Sequence, residues 1–419
     1  MKKKQTTIGT FLCLIGMVSL LIGTGCNSLD ALLPDDGQSE PETVSINTNV
    51  VSANTRFGFD VFNEIRQTEQ DKNIFISPLS ISIALAMALN GASGETEQSM
   101  TNALHLQGLD SESINVGYAA LRGALETSDP KVTLTIANSL WARQDVPFNQ
   151  DFLQRNNEYF GAEISTLDFM DPNTLTTINQ WVNTNTNGKI TKILDEINSD
   201  LVLFLINAIY FKGTWQTEFD PAHTRDGTFH LATGDEKQVP MMTRTGDYPY
   251  YHNNDDMFQA ISIPYGDGRM SMYIFLPYRE SDLNTFLESL NSESWENWIA
   301  QFHEIEIFLS MPKFKLEYEK TLNNPLQALG MEIAFAPGRA DFSRMADLEA
   351  LGKNLYIGDV LHKAVVEVNE EGTEAAAVTS IGIRATSAPP EFIVNRPFFF
   401  AIRDNETKTV LFMGTVIDP

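Results

Sequence analysis

Histidine is the side chain in this sequence that could serve most kinds of catalysis, because its imidazole binds metals and transfers protons near neutral pH. A zinc hydrolase typically carries HExxH, with two histidines on one face of a helix. The segment HEIE at residues 303–306 begins this pattern but lacks the second histidine. None of the six histidines has another close metal-ligand spacing; they are His105, His223, His230, His252, His303 and His362. The sequence therefore predicts no metal site and no cofactor.

Local patterns for nucleophilic catalysis and nucleotide binding are missing as well. The sequence contains no GxSxG elbow, no GxxxxGK[ST] loop and no GxGxxG after a predicted strand. The GDG at residues 266–268 predicts a hairpin turn. Scattered serine, histidine and aspartate side chains could still meet in space, so a hydrolase remains the weakest alternative. We expect that the chain is not an enzyme.

The segment EEGTEAAAVTSIGIRATSAPP at residues 370–390 is unusual, with few large apolar side chains and little glycine or serine. Side chains of a strand alternate between its two faces. One face carries no charge and consists of Thr373, Ala375, Ala377, Thr379, Ile381, Ile383 and Ala385. The other face carries Glu374 and Arg384 together with Ala376, Val378, Ser380 and Gly382. This alternation is typical of a strand that enters a sheet with one buried face.

The same segment opens with Gly372 and ends in two prolines, and its small side chains would hold an isolated strand only weakly. It could therefore be a mobile loop or an inserted strand. A third interpretation is an ordinary surface connection that alternates by chance.

The elements that must position this segment are predicted from hydrophobic periodicity. Helical spacing of apolar residues predicts helices at residues 57–65 and 81–89, the second closed by Gly91. A continuous apolar run at 201–211 predicts a strand buried on both faces. Further strands are predicted at residues 132–136, 270–276, 305–311, 364–368, 392–402 and 410–416. Helices in the first half and strands in the second indicate an α+β fold.

The N-terminus predicts export. Three lysines precede an apolar run at residues 8–22 that is short for a membrane span, followed by Gly23, Thr24, Gly25 and Cys26. The end of this run resembles a prokaryotic lipobox, although Gly23 stands where leucine is usual. Residues 1–26 are therefore interpreted as a signal peptide with lipid attachment at Cys26, and simple cleavage is the alternative. The protein is expected to be extracellular or held at the cell surface.

The rest of the chain is predicted to be a tether and one domain. Residues 27–55 are polar and indicate a disordered tether, and residues 56–419 show no internal repeat. Both cysteines, Cys13 and Cys26, lie in the N-terminal segment, so no disulfide is expected in the domain. The net charge of −26 opposes binding to nucleic acid or to anionic lipid through the domain surface. A membrane contact is expected only through the lipid.

Several motifs, in order and without large gaps from about residue 56 to the end, resemble the serpin family. They are NIFISPLS at residues 73–80, NAIYFKGTW at 207–215, HKAV at 362–365, EEGTEAAA at 370–377, FIVNRPF at 392–398 and LFMG at 411–414. The agreement of several independent motifs in spacing makes this resemblance highly specific.

The resemblance implies a fold with three β-sheets and about nine helices. It also implies that residues 370–390 form a reactive-centre loop that a serine protease attacks as a substrate. After the acyl-enzyme forms, the cut loop would enter the main sheet as residues 373–385 and trap the protease covalently. The partner implied is a serine protease, and the inhibitor itself is expected to be a monomer.

The resemblance also assigns roles to particular residues. The hinge of the loop would be Glu370, Glu371, Gly372, Thr373, Glu374, Ala375, Ala376 and Ala377. Polar groups under the main sheet, the shutter of the family, would be Ser77, Ser80, Asn207 and His362. Trp215 would mark the breach, where the loop begins to enter. Without the resemblance, Ser77 and Ser80 would be interpreted as helix caps and His362 as a core histidine.

The family's usual loop length indicates the bond that is cut. Inhibitory members keep 17 residues from the first hinge acid to the residue before the scissile bond, and Thr386 is the 17th residue when Glu370 is the first. The predicted bond therefore joins Thr386 to Ser387, with Ala385 and Arg384 as alternatives. A threonine favours elastase-like or subtilisin-like proteases, whereas Arg384 would suit a trypsin-like one.

Two other functions of the same fold stay open at this point. A non-inhibitory serpin would act as a chaperone or binding protein, and such members carry hinges that resist insertion. Here residues 373–379 contain no proline and place no charge on the inward face, which favours inhibition. The second alternative is inhibition of cysteine proteases.

Overall fold

The computed structural model describes residues 46–126, 129, 131–197, 201–352, 354–372 and 389–419. Residues Val44–Pro419 form one compact unit. Ten α-helices lie within the described residues: α1 (Thr48–Thr68), α2 (Pro78–Leu89), α3 (Gly94–Ala103), α4 (Ser111–Glu126), α5 (Gln150–Phe160), α6 (Pro172–Asn185), α7 (Leu283–Ser289), α8 (Ser292–Ile299), α9 (Asn323–Leu326) and α10 (Leu348–Leu351). None of these helices is both long and apolar enough to cross a membrane.

Fourteen strands are present in the described part of the chain. They are β1 (Ile74–Ile76), β2 (Val132–Arg143), β3 (Glu163–Leu167), β4 (Leu203–Gly213), β5 (Arg225–His230), β6 (Glu236–Asn253), β7 (Phe258–Pro264), β8 (Met270–Pro277), β9 (His303–Pro312), β10 (Phe314–Thr321), β11 (Leu361–Val368), β12 (Glu391–Ile393), β13 (Phe398–Asp404) and β14 (Val410–Val416). They form three sheets, and with the helices they make the predicted α+β fold.

The largest sheet contains nine strands in the order β1-β14-β13-β8-β7-β6-β9-β12, with β5 paired to β6. The second sheet has the order β3-β2-β4, and the third consists of β10 and β11. The strands β13 and β14 are buried at every residue. The side chain of Asn73 holds the end of the chain, since its Oδ1 accepts from the backbone N–H groups of Ile417 and Asp418 at 2.7 and 3.1 Å.

Alternation predicted most of the strands correctly, and the GDG turn does connect β7 to β8. The predicted strand at 392–402 is wrong as a single element, because the structure divides it into β12 and β13. Pro397 lies in the break, where a residue without an N–H cannot continue a ladder. The run predicted to be buried on both faces becomes β4, and its first three residues are only half-buried.

The predicted tether is too long at its C-terminal end. The helix α1 begins at Thr48, eight residues before the predicted boundary at residue 56, and Asn47 caps it by accepting from the N–H of Asn49 at 3.0 Å. Val50 and Val51 are buried against the core. Polar residues at positions 47–49 made this helix start look like part of the tether, because helix caps and tethers share their composition.

Candidate functional site

The strands β4 and β11 each form an edge of one of the smaller sheets as the structure describes them. Within the described ranges, β4 is hydrogen-bonded only to β2 and β11 only to β10. Core-facing side chains of both strands, such as Phe211 of β4 and Val366 of β11, belong to one hydrophobic cluster. We call the region between these two edges the gap, of which the structure describes only the end at Gly372.

A tight turn at residues 369–372 connects the two edges at one end of the gap. The N–H of Asn369 donates to the carbonyl of Gly372 at 2.9 Å, and the N–H of Gly372 donates back at 3.2 Å. Gly372 also forms an antiparallel bridge with Thr214, the residue that follows β4. One residue therefore stands between the ends of β11 and β4, which separates them by two strand spacings, or about 10 Å. The gap is one strand wide at this end.

Gly372 is required by this turn. Its φ of +135° lies in a region that only glycine adopts easily. A Cβ at this position would lie 2.1 Å from the carbonyl oxygen of Gly213 and 2.7 Å from the nitrogen of Trp215. Both contacts are with backbone atoms, so no side-chain rotation can relieve them.

Trp215, which follows β4 in the chain, donates two hydrogen bonds to the turn. Its backbone N–H donates to the carbonyl of Glu371 at 2.9 Å, and its indole Nε1 donates to the carbonyl of Asn369 at 3.0 Å. The indole stacks on Tyr265 with 4.3 Å between ring centroids and is 1% exposed. The residue predicted to mark the entry of the loop therefore lies in direct contact with the start of that loop.

Glu370 stabilises the turn through its side chain and its backbone carbonyl. The carboxylate forms an ion pair with Lys313 at 2.7 Å and accepts from the Thr224 hydroxyl at 2.8 Å. The Glu370 carbonyl also accepts from the N–H of Phe219 at 2.8 Å. Burial of the carboxylate raises its pKa, but the Lys313 and Thr224 hydrogen bonds outweigh burial and the net pKa is lowered. The ionised carboxylate thus stabilises the turn.

Replacing Glu370 with glutamine is expected to lower the free energy of unfolding by about 1 kcal/mol at pH 7, because the ion pair between the buried Glu370 carboxylate and the partly exposed Lys313 is lost. The difference from wild type should disappear as the pH falls below 4.5, where the unfolded carboxyl takes up its proton. Urea denaturation measures both effects. Glu317→Gln is the matched control, because its pair with Lys315 at 2.9 Å is exposed and should contribute less than about 0.5 kcal/mol.

Ser77, Ser80 and His362, which the resemblance assigns to the shutter, lie together where the N-terminus of α2 contacts β11. The Ser77 hydroxyl caps α2 by accepting from the N–H of Ser80 at 3.2 Å, and it donates to the carbonyl of Leu411 at 2.7 Å. The N–H of Ser77 donates to Nε2 of His362 at 3.2 Å. Burial lowers the pKa of His362 to about 4, so the imidazole is neutral and its proton resides on Nδ1.

Asn207, the fourth predicted shutter residue, has a different partner. Its Nδ2 donates to Oδ1 of Asn138, which lies opposite it on β2. Its Oδ1 is buried and has no hydrogen-bond partner in the part of the chain that the structure describes. The two borders of the gap therefore present a buried acceptor on β4 and a neutral histidine on β11.

Several predicted site residues lie outside the described residues. They are Cys26, the hinge residues Thr373, Glu374, Ala375, Ala376 and Ala377, and the residues about the scissile bond, Arg384, Ala385, Thr386 and Ser387. Within the described ranges, no group of three or more histidine, cysteine, aspartate or glutamate side chains could hold a metal ion.

Sequence reasoning missed Asn138, Lys313 and Thr224. A signal for Asn138 was present, because it follows Val132, Leu134 and Ile136 on the apolar face of a predicted strand. A polar residue on such a face needs a buried partner. Lys313 and Thr224 carry no comparable signal, since both reach Glu370 only through the tertiary fold.

Comparisons with known proteins identify the family to which this chain is similar. The family model described as "Serpin (serine protease inhibitor)" matches residues 52–419. The leukocyte elastase inhibitor of Xenopus tropicalis is 36% identical over 381 residues, covering 88% of this chain and all of the relative. That of Sus scrofa is 37% identical, covering 88% of this chain and 99% of the relative.

Solved structures show the same fold. The native state of the thermophilic serpin tengpin is 34% identical, with a TM-score of 0.81, covering 90% of this chain and 95% of that one. The latent state of tengpin gives a TM-score of 0.77 at 32% identity, covering 89% and 98%. Human thyroxine-binding globulin complexed with thyroxine gives 0.81 at 26% identity, covering 90% and 99%.

Proposed function

The chain belongs to the serpin family, and from this premise we propose that it inhibits serine proteases as a suicide substrate. The family is one of protease inhibitors rather than enzymes. One observation carries the proposal: the chain reverses direction at residues 369–372 and leaves Gly372 antiparallel to β4, at the mouth of a gap one strand wide. The two strand edges that border this gap are unpaired in the described part of the chain.

The register at Gly372 supports the insertion of residues 373–385. If the pairing of Gly372 with Thr214 continues, these 13 residues run opposite residues 213–201 and extend about 43 Å at ~3.3 Å per residue. The uncharged face of the segment then falls beside core-facing residues of β4, such as Phe211 and Ile209, and Glu374 falls beside Lys212 on the outer face.

If this register continues to residue 379, Thr379 would lie opposite Asn207 on β4 and opposite His362 on β11, the two borders of the gap. A hydroxyl can accept from the Nδ1–H of His362 and donate to the free Oδ1 of Asn207 at once. Without the inserted strand, closure of the gap lets the two residues bond directly. Insertion therefore exchanges one set of buried hydrogen bonds for another.

The covalent step takes place at the bond between Thr386 and Ser387. The serine hydroxyl of the protease attacks the carbonyl carbon of Thr386, the peptide bond breaks, and the amine of Ser387 leaves with the proton. The remaining ester joins Thr386 to the protease. Insertion then carries the protease away before water can hydrolyse the ester, with Ala385 and Arg384 as alternative acyl positions.

A small or β-branched residue before the cut favours an elastase-like or subtilisin-like target. The elastase inhibitors among the relatives support the first of these. The resemblance to thyroxine-binding globulin favours a non-inhibitory binding role instead. The uncharged, proline-free stretch at residues 373–379 weighs against it.

We expect an SDS-resistant adduct when the protein is mixed with elastase-like or subtilisin-like proteases, and mass spectrometry should find a C-terminal peptide that begins at Ser387. A trypsin-like protease serves as the comparison, since cleavage after Arg384 would instead give a peptide that begins at Ala385. Cleavage of the loop without any adduct would show a substrate and not an inhibitor.

The N-terminal segment supports an exported protein held at the cell surface through Cys26, acting as a monomer. A bacterial expression host should attach lipid to the wild type and none to Cys26→Ser, which the mass of the mature N-terminus reveals. A mature N-terminus after residue 26 without lipid would instead indicate simple secretion.

A further inference from the structure

A pocket of about 400 Å³ lies between β12 and the segment that leads into β5. Its floor is a row of side chains from three neighbouring strands, because Ser310 of β9 pairs with Thr243 of β6 on one side and with Ile393 of β12 on the other. Cross-strand partners project from the same face of a sheet, and all three residues line the pocket. Its volume lies within the range of small-molecule binding sites.

The floor of this pocket carries a buried hydroxyl. Ser310 is 7% exposed, and its Oγ makes no hydrogen bond to any residue that the structure describes. A buried polar group normally has a hydrogen-bond partner, because removing it from water otherwise costs free energy. The Ser310 hydroxyl therefore indicates an occupant of the pocket with hydrogen-bonding groups of its own.

The wall formed by β5 contributes a guanidinium next to a carboxylate. Arg225 and Asp226, the first two residues of β5, both line the pocket. Nη1 of Arg225 donates to the carbonyl of Thr224 at 2.7 Å, and the other two guanidinium nitrogens have no partner within the described ranges. A guanidinium forms its strongest hydrogen bonds with a carboxylate, whereas the Asp226 carboxylate requires a donor. The two side chains together fit a ligand that carries both an acid group and a donor.

Two histidines complete the lining without determining the charge of the ligand. Nδ1 of His223 lies 3.9 Å from the Asp220 carboxylate, and Nδ1 of His230 lies 3.4 Å from the Glu236 carboxylate. Each imidazole leaves Nε2 to accept or to donate, according to its protonation. Among the residues that the structure describes, these side chains form no group that could hold a metal ion. The histidines thus add hydrogen-bonding capacity for an organic ligand.

We propose that this pocket binds a small hydroxycarboxylic acid. The carboxylate of the acid pairs with Arg225, its hydroxyl group bonds to Ser310 and Asp226, and its short carbon chain contacts Ile393. A hydroxyl fits better than an ammonium group, because Asp226 is the only carboxylate among the described residues that line the pocket. The site does not depend on the proposed inhibition of proteases and goes beyond it.

The position of the pocket gives binding a structural consequence. The N–H of Val394, the first residue after β12, donates to the carbonyl of Ser310 at 2.8 Å. On the opposite wall, the Thr224 hydroxyl donates to Glu370 of the turn at residues 369–372. A bound acid therefore joins the segment that holds this turn to the ladder between β12 and β9.

Thermal unfolding with malate as the probe tests the site. We expect malate at ten times its dissociation constant to raise the unfolding midpoint of the wild type by about 2–3 °C. Arg225→Gln and Ser310→Ala should each remove most of this rise. Arg155→Gln is the matched control, because Arg155 is an exposed arginine of α5 that does not line the pocket, and it should keep the rise. Succinate, which lacks the hydroxyl of malate, should give at most about half of the effect.

Hydrogen exchange locates the bound acid independently of the variants. Malate at the same concentration should slow exchange of the Val394 N–H about tenfold, because opening of β12 must release the ligand. Exchange of the amides of α5 should not change.

The outcomes distinguish this site from a general effect of salt and from the proposed inhibition. Equal midpoint shifts with malate and sulfate, or a shift that persists in both Arg225→Gln and Ser310→Ala, would overturn the site. Slower exchange at α5 but not at Val394 would overturn it as well. Specific binding of malate by a protein that forms no protease adduct would keep the site and overturn only the inhibitory function.

Discussion

Gly372→Ala is expected to turn the inhibitor into a substrate. The added methyl would lie 2.1 Å from the carbonyl oxygen of Gly213, and the backbone φ of +135° disfavours any side chain. The turn at residues 369–372 must then open, which removes the first pair of the inserting strand while leaving the scissile bond accessible. Titration against an elastase-like protease should show at least a tenfold rise in inhibitor consumed, with loop cleavage still efficient.

The control is Gly123→Ala. Gly123 is an exposed residue of α4, and a Cβ placed there would contact no described residue outside its own helix within 4 Å. This variant should inhibit like the wild type. Unchanged inhibition by Gly372→Ala would mean that insertion does not pass through the observed turn.

Acid is expected to lower the free energy of unfolding by roughly 3 kcal/mol through protonation of His362, which joins α2 to β11. The pKa of His362 is lowered by burial to about 4 from an ordinary value of 6.5, so the fold favours the neutral imidazole. This contribution is fully present above pH 6.5, falls as the pH drops through that value, and is lost at about pH 4. The neutral Nε2 accepts from the N–H of Ser77, and a proton on Nε2 would break that bond.

Denaturation in urea at several pH values between 4 and 8 measures this dependence. His362→Asn should flatten the curve between pH 4 and 6.5, since an amide oxygen accepts from the Ser77 N–H at any pH in this range. The exposed His303 provides the control, and His303→Asn should keep the wild-type slope. Equal slopes for all three proteins would assign the acid sensitivity to carboxylates.

Residue order alone predicted the α+β class and the core strands, whereas the grouping of Ser77, Ser80 and His362 came only from the family resemblance. Strands such as β2 and β14 were predictable because burial of one or both faces leaves a periodic pattern. The start of α1 was not, because its stability comes from Val50 and Val51 packing on distant elements. The partner of Asn207 was also missed, since pairing between Asn138 and Asn207 joins residues 69 positions apart.

The hydrophobic periodicity of the sequence gives no indication of the gap. Alternation shows which face of β4 is buried, but the hydrogen bonding of a strand edge depends on what lies beside it. The turn at residues 369–372 was not predicted from the sequence. Its reciprocal hydrogen bonds depend on Gly372, whose Cβ would strike the backbone of a strand more than 150 residues earlier in the chain.

Because β13 and β14 are completely buried, cleavage would leave a protein made of two tightly bound polypeptides. If the bond after Thr386 is cut, residues 387–419 become a separate polypeptide that supplies three strands of the nine-stranded sheet, β12, β13 and β14. Cleavage thus creates a heterodimer from a single chain. Its small subunit is held by three ladders, which pair β12 with β9, β13 with β8 and β14 with β1, and by Asn73 at its last residues, so its dissociation requires unfolding of the large subunit. The new subunit should therefore stay bound at any dilution and separate only in denaturant.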